Sequence, residues 1–509
     1  MATANNQVNQ DAINKALWAA CDTFRGTISA DTYKDFILTM LFLKYMSDVW
    51  QDHYDKYSKE HGNEPELIKE LMKNERFVLP TGADFYTLHS KRHEPGNGER
   101  IDKALHAIEE ANGTKLRDSS KSVFQDISFN TDKLGEEKQK NTILRHLLED
   151  FAKDEMNLRP SRVGSLDVIG NAYEYLIKNF AASGGQKAGE FYTPPEVSDL
   201  IADLLDPQPG DSICDPACGS GSLLMKCGRK IRDNHNSKKY SLYGQEAIGS
   251  IWSLAKMNMF LHGEDNHKIE WGDTIRNPKL LDLKGNLQLF DIVTANPPFS
   301  LDKWGIEEAS NDKFSRFRRG LPPKTKGDYA FILHMIETLK PKTGRMCVVV
   351  PHGVLFRGAA EGKIRQQLID EGLLDAVIGL PSKLFYGTGI PAAILVFRKT
   401  KVDDKTLFID ASRLFKEGKN QNLLRQEDIE KIIQLYQDRK KVDKEAYVAT
   451  LEEIQKNDYN LNIPRYVDTF EEEESINFEE VYSKRISLNA ELVLLEKEMN
   501  NHLKELGYL

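Results

Sequence analysis

Cysteine is scarce in this sequence. Cys21, Cys214, Cys218, Cys227 and Cys347 are too few and too scattered over 509 residues for a disulfide framework or a zinc site. A long apolar run is missing too: the most apolar stretch, Phe36 to Met46, is interrupted by Lys44 and is too short to span a bilayer. The opening stretch, Met1 to Asn14, is polar and lacks the apolar core of a signal peptide. The cytoplasm is the expected compartment, with no part for a membrane. Positive charge is also in deficit. The net charge is −9 and the pI about 5.8, whereas a chain that grips nucleic acid alone usually shows a basic balance. Either nucleic acid is not the substrate, or a partner supplies most of the grip.

What is present is ordinary for a soluble globular protein: 40% hydrophobic and 29% charged residues. The length predicts two or three domains. Residues 1–160 read as an N-terminal helical domain, with Ile13, Leu17, Trp18 and Cys21 at helical spacing and a long helix over Tyr33 to Trp50. Residues 161–410 open with a helix over Asp167 to Phe180 and then alternate strand and helix. That alternation predicts an α/β fold, a parallel sheet with helices on both faces. Strands are expected at 212–214, 240–245, 268–271, 290–295, 346–350, 376–380 and 393–397. The charged residues 411–477 read as a helical linker, followed by a terminal helix over 478–509.

The most informative stretch is Phe290 to Ser300, in which a β-branched run ends in Asn296-Pro297-Pro298-Phe299. Two prolines in succession cannot donate to a sheet ladder, so the strand stops there, and the residue before each proline is held extended. The product is a stiff corner at a strand's carboxyl end, where open α/β sheets bind ligands. It suits methylation of an exocyclic amine, whose lone pair is delocalised into the ring. The Asn296 side-chain oxygen and the Pro297 carbonyl would accept the amine's hydrogens and turn its lone pair toward a methyl donor. Phe299 would stack on a base flipped out of the duplex.

Upstream, a strand ends in Asp215-Pro216-Ala217-Cys218-Gly219-Ser220-Gly221. The glycines permit a tight turn into a helix N-terminus. Glu246 and Asp273 close the next two strands. A carboxylate closing the second strand suits ribose hydroxyls, Asp273 an adenine amine, and Asp215 a methionine-like amino group. A dinucleotide site is disfavoured, because Leu224 stands where its third glycine would be.

The cofactor turn followed by Asn296–Phe299 resembles the amino-group DNA methyltransferases. Gly189 to Pro194, Gly327 to Phe331 and Leu380 to Pro391 narrow the resemblance to the modification (methyltransferase) subunit of type I restriction–modification systems, over essentially the whole chain. That resemblance implies a Rossmann-like, S-adenosylmethionine-dependent methyltransferase domain between an all-helical N-terminal domain and a C-terminal helical extension. It implies methylation of adenine N6 in double-stranded DNA, the adenine flipped out, at a bipartite site chosen by a separate specificity subunit. Two copies of this chain per specificity subunit, and a restriction (nuclease/translocase) subunit beside them, belong to the same expectation. Carried onto this sequence, Asn296, Pro297, Pro298 and Phe299 are the catalytic residues. Gly189, Glu190, Phe191, Tyr192, Thr193, Pro194, Asp215, Ala217, Gly219, Ser220, Gly221, Glu246 and Asp273 bind the cofactor, and no metal is expected.

Two alternatives remain at this point: an Asn-Pro-Pro-aromatic methyltransferase acting on glutamine or an RNA base, and a non-catalytic scaffold. The flanking motifs speak against the first, and the intact acidic strand ends against the second. Two further stretches carry expectations. Lys313 to Lys326 holds Lys313, Arg316, Arg318, Arg319, Lys324 and Lys326 and no acid, and is expected to track a DNA backbone. Leu488, Leu492, Leu495, Met499, Leu503 and Leu506 form one apolar stripe suited to a partner helix.

Overall fold

The computed structural model describes residues 9–118, 121–164, 166–183, 192–386, 389–401, 403–468 and 477–508. Among these, nine strands form one sheet: β1 (Ser212–Asp215), β2 (Ser241–Glu246), β3 (His267–Trp271), β4 (Ile292–Ala295), β5 (Arg345–Pro351), β6 (Leu374–Gly379), β7 (Ala392–Arg398), β8 (Thr406–Asp410) and β9 (Ala446–Ala449). Their order is β3-β2-β1-β4-β5-β7-β6-β8-β9. The first five in that order run parallel, β7 lies antiparallel between β5 and β6, and β9 is antiparallel to β8. The chain leaves β1 toward β2 and β3, then returns to lay β4 on the other side of β1. That reversal opens a crevice at the carboxyl ends of β1 and β4.

The central strands read as continuous apolar runs because both of their faces are covered. In β5, Cys347 and Val349 join one core, whereas Met346, Val348 and Val350 join the other. The helices Pro195–Leu205, Ser222–His235 and Gly249–Leu261 cover the first face, and Asp328–Glu337 and Ala359–Asp370 the second.

The N-terminal region is helical, as its periodicity predicts, and its core is continuous with the first face of the sheet. Phe36 to Met46 lies inside the helix Ala30–His61 and is buried all round. Lys44, which interrupts the run, is neutralised by a buried pair with Asp48, whose carboxylate also takes the Tyr86 hydroxyl (2.6 Å) and the Leu158 N–H (2.7 Å). The expected division at residue 160 is not a break in packing. Phe42 stacks on Phe260 (6.3 Å), Arg76 donates to the Phe260 carbonyl (2.8 Å), and the chain to Val467 forms one compact unit.

Residues 411–477 were expected to be a linker. Over the described part they add β9 to the sheet and lay the helix Gln426–Asp438 on its first face, with Ile429, Ile432, Leu435 and Tyr436 buried. The charges that suggest a linker occupy the outer side of this amphipathic element. β8 was missed for the same reason, its short apolar run being set among Lys401, Asp403, Asp404, Lys405 and Asp410.

A second unit comprises Asp468–Leu509. Its helix, Phe478–Glu505, is about 42 Å long. Asn477 caps it by accepting the Glu480 N–H (3.3 Å), and none of its residues is buried. No helix of the described residues is long and apolar enough to cross a membrane.

Candidate active site

From Asp215 the chain turns through Pro216 to Gly221 into the helix Ser222–His235. Gly219 (φ +53°) and Gly221 (φ +82°) take left-handed backbone, and a Cβ on Gly221 would fall 2.6 Å from the Met259 methyl. Three donors hold the turn. The Cys218 N–H reaches the Gln245 carbonyl (3.1 Å), the Asn258 amide the Ser220 carbonyl (2.9 Å), and the Thr274 hydroxyl the Pro216 carbonyl (2.6 Å). Glu246 accepts the N–H groups of Gly219 (3.0 Å) and Ile248 (2.9 Å). Asp215 accepts the Ala217 N–H (2.9 Å). Burial pushes the Asp215 carboxyl up to about 8, with the Ala217 N–H opposing and the nearby Glu246 adding to the rise. Burial raises Glu246 as well, against the pull of the Ile248 and Gly219 N–H groups. Two carboxyls short of solvation at one turn favour a ligand that brings an amino group and hydroxyls.

Asp273, expected to take an adenine amine, is partly engaged already. One oxygen accepts the N–H groups of Ile275 (2.9 Å) and Arg276 (3.0 Å), and the other meets the Arg276 guanidinium (2.7 Å). It still lines a cavity of about 340 Å³, so an incoming amine would share it with Arg276. Gly219, Glu246 and Ile251 line that cavity together with Asn296, Pro298, Trp304 and Phe331. The glycine turn and the Asn-Pro-Pro-Phe corner meet there because β1 and β4 are paired, Ile213 with Ile292 and Cys214 with Val293.

At the corner, the Asn296 amide donates to the Thr193 hydroxyl (3.1 Å). Its carbonyl oxygen Oδ1 is buried and, among the described residues, without a hydrogen-bond partner. A buried acceptor left unmatched costs on the order of 1–3 kcal/mol, a cost that a ligand with an N–H can remove. Phe299 sits edge-on to Phe385 (6.0 Å, 67°). The next residue, Ser300, has φ +51° and gives its N–H to Asp328 (2.8 Å), which also binds Arg357 (2.6 Å). Asp328 therefore braces the loop beyond the corner as well as opening its own helix.

Of the upstream stretch, Tyr192 packs its ring 5.7 Å from Tyr386, and Pro194 caps the helix Pro195–Leu205. Gly189, Glu190 and Phe191 lie outside the described residues, as do Gly387 and Thr388. Sequence reasoning missed Gln245, whose buried amide donates to the Gly272 (3.0 Å) and Asn277 (2.9 Å) carbonyls and shapes the cavity wall. Its place beside Glu246 at a strand end was the available signal. Asn258 and Thr274 carried none.

The basic run is a correction. Arg316 is buried, bound to Asp312 (2.8 Å), to the Thr274 (3.0 Å) and Ile275 (2.7 Å) carbonyls and to His334 (3.1 Å). Arg319 is buried too, forked onto Glu371 (2.7 and 2.5 Å) and bound to Glu337 (2.6 Å). Their donors are committed inside the protein and are not free for phosphates; Arg316 instead props the loop after Asp273. Lys313, Arg318 and Lys324 remain exposed, Arg318 beside Glu337 (3.2 Å). Arg316→Ala is expected to lower stability by roughly 3–5 kcal/mol, since Asp312 would be left buried without its partner. Lys313→Ala should stay within about 0.5 kcal/mol of wild type. Denaturant unfolding of the two variants checks the contrast.

The chain matches the N-6 DNA methylase family model over residues 164–475 and the HsdM N-terminal domain model over 13–151. It is 33% identical to the type I restriction enzyme MjaVII methylase subunit of Methanocaldococcus jannaschii, over 93% of this chain and 80% of that protein. It is 29% identical to the MpnII methylase subunit of Mycoplasma pneumoniae, over 98% of this chain and 96% of that one. Among solved structures, a type I restriction–modification methyltransferase subunit from Streptococcus thermophilus superposes with a TM-score of 0.80 at 35% identity, covering 91% of this chain and all of that one. With its glycine turn and its Asn-Pro-Pro-Phe corner at adjacent strand ends, the chain belongs to the N-6 DNA methylase family, among the methylase subunits of type I restriction enzymes.

Proposed function

We propose that this chain is the adenine-methylating subunit of a type I restriction–modification complex, acting on DNA at a site that a specificity subunit selects. Two copies per specificity subunit, and association with a restriction subunit, complete the proposal. The observation that carries it is the buried, unpartnered Asn296 Oδ1 beside an acid-lined cavity. S-adenosylmethionine fits that cavity. The crevice has left-handed glycine backbone at Gly219, two carboxyls raised by burial, and no third glycine for a pyrophosphate. Asp215 would hold the cofactor's amino group and Glu246 its ribose hydroxyls, with Ala217, Gly219, Ser220 and Gly221 lending close backbone and Asp273 the adenine end. The cofactor supplies an electrophilic methyl group.

The chain's residues do the rest. Asn296 Oδ1 and the Pro297 carbonyl accept the two hydrogens of the target amine and localise its lone pair. The two prolines keep both acceptors from yielding as the amine approaches, and Phe299 holds the flipped base by stacking. The methylated amine is acidic enough to release its proton to water, so no general base is required. The acidic balance of the chain follows if most phosphate contacts belong to the specificity subunit.

The test is to co-express the chain with its specificity subunit, incubate DNA with isotopically labelled cofactor, and digest the product to nucleosides for mass spectrometry. Label in N6-methyl-2′-deoxyadenosine is the expected result; label in a methylated cytosine, in RNA or in protein glutamine would overturn the proposal. A pH dependence follows from Asp215. Its carboxyl, neutral below about 8 in the free chain, must ionise to hold an ammonium group, so binding releases a proton. Cofactor affinity measured by calorimetry should rise by up to about tenfold per pH unit from pH 6 to about 7.5, below the range where the cofactor's own α-amino group titrates. In Asp215→Asn that slope should vanish.

A further inference from the structure

We infer that Thr193 is a positioning residue for methyl transfer: its hydroxyl holds the Asn296 side chain in place at the corner where the target amine is received. The inference rests on the reading of Asn296 given above, and adds what orients it. An asparagine side chain turns about its χ angles, and a backbone corner, however stiff, does not fix them. A hydrogen bond to a neighbouring side chain does.

Among the described residues Asn296 Nδ2 has its hydrogen bond to Thr193 Oγ1 (3.1 Å), and Oδ1 has none. Thr193 is itself buried, so the contact is sheltered from competing water. The residue is also unusually well fixed. It opens Thr193-Pro194-Pro195, a second X-Pro-Pro corner facing Asn296-Pro297-Pro298. In each, the proline restricts the residue before it to extended backbone. Pro194 accepts the N–H groups of Val197 and Ser198 (both 3.0 Å) and so anchors Thr193 to the helix Pro195–Leu205. That helix is tied to Ser222–His235 by Lys226–Asp199 (2.9 Å) and by Lys230–Asp203. The hydroxyl is therefore held by a rigid element and does not ride on a loop. Asn296 and Thr193 together line a small space that they share with Asp215 and Gly219. The contact spans 103 residues of sequence.

The experiment compares Thr193→Val, Thr193→Ala and Thr193→Ser in the assembled complex. It measures single-turnover methyl transfer, and cofactor affinity of each variant by calorimetry. The expected result is a fall in transfer rate at saturating cofactor on the order of 10- to 100-fold for Val and Ala, with the Ser variant close to full rate. Calorimetric binding also certifies that each variant is folded; if Val fails to fold, Ala carries the test. A full transfer rate in both hydroxyl-free variants would overturn the inference. So would weakened cofactor binding at unchanged transfer rate, which makes Thr193 a cofactor residue, or a Ser variant as slow as Val. If Asn296→Ala is itself fully active, the reading beneath fails. If Asn296→Ala is inactive and Thr193→Val is not, only the inference about Thr193 fails.

Discussion

Asn296→Ala is expected to reduce methyl transfer by at least about 100-fold, the usual consequence of removing one preorganised dipole from a transition state, while cofactor binding to the free chain stays near wild type. The two readouts separate because the Asn296 side chain bonds to Thr193 and to no part of the glycine turn. The groups holding that turn are Gln245, Asn258 and Thr274. Alanine removes an unmatched buried oxygen and, with it, the bond to the Thr193 hydroxyl; the two effects oppose one another, so stability should stay within about 1 kcal/mol of wild type. Single-turnover assays with the specificity subunit, together with denaturant unfolding, check both halves. Full activity in the variant would remove the methylation assignment. A parallel Phe299→Ala should be milder, weakening the hold on the flipped base by about 1–3 kcal/mol.

Removing residues 478–509 is expected to give a folded chain that binds cofactor and methylates no DNA. The unit to Val467 has a compact core of its own, and the sheet, the glycine turn and the corner all lie within it. The terminal helix exposes Leu488, Leu492, Leu495 and Met499 to about half of their full accessible surface, in a stripe bordered by charged residues. Burying such leucines against a partner is worth roughly 1.5–3 kcal/mol each when complete, so four contacts suffice to decide assembly. We propose that the helix docks on the specificity subunit. Size-exclusion chromatography of the truncated chain with that subunit should show no complex, with thermal melting and cofactor calorimetry little changed. A truncated chain that unfolds would assign the helix to this chain's own core, and normal assembly would move the docking surface elsewhere.

The sequence by itself determined much of this protein. It is an α/β chain whose first seven strands fall where they are expected; β4 to β7 are legible as continuous apolar runs because a strand buried on both faces needs them. The corner at Asn296 and the turn at Gly219 and Gly221 were legible because proline and glycine act on the backbone locally, whatever surrounds them. The stripe on the terminal helix was legible from its spacing alone. The tertiary structure decided every matter that depends on a partner distant in sequence. It set Arg316 and Arg319 among buried acceptors, where composition had suggested a phosphate-binding run. It drew residues 406–449 into the sheet, since the charges that resemble a linker face outward only once β8 and β9 pair. It turned the Asn296 amide toward Thr193, 103 residues away. A charged or amide side chain does not carry its partner in its own neighbourhood of sequence, and its role is set only when the packing of the chain brings that partner within about 3 Å.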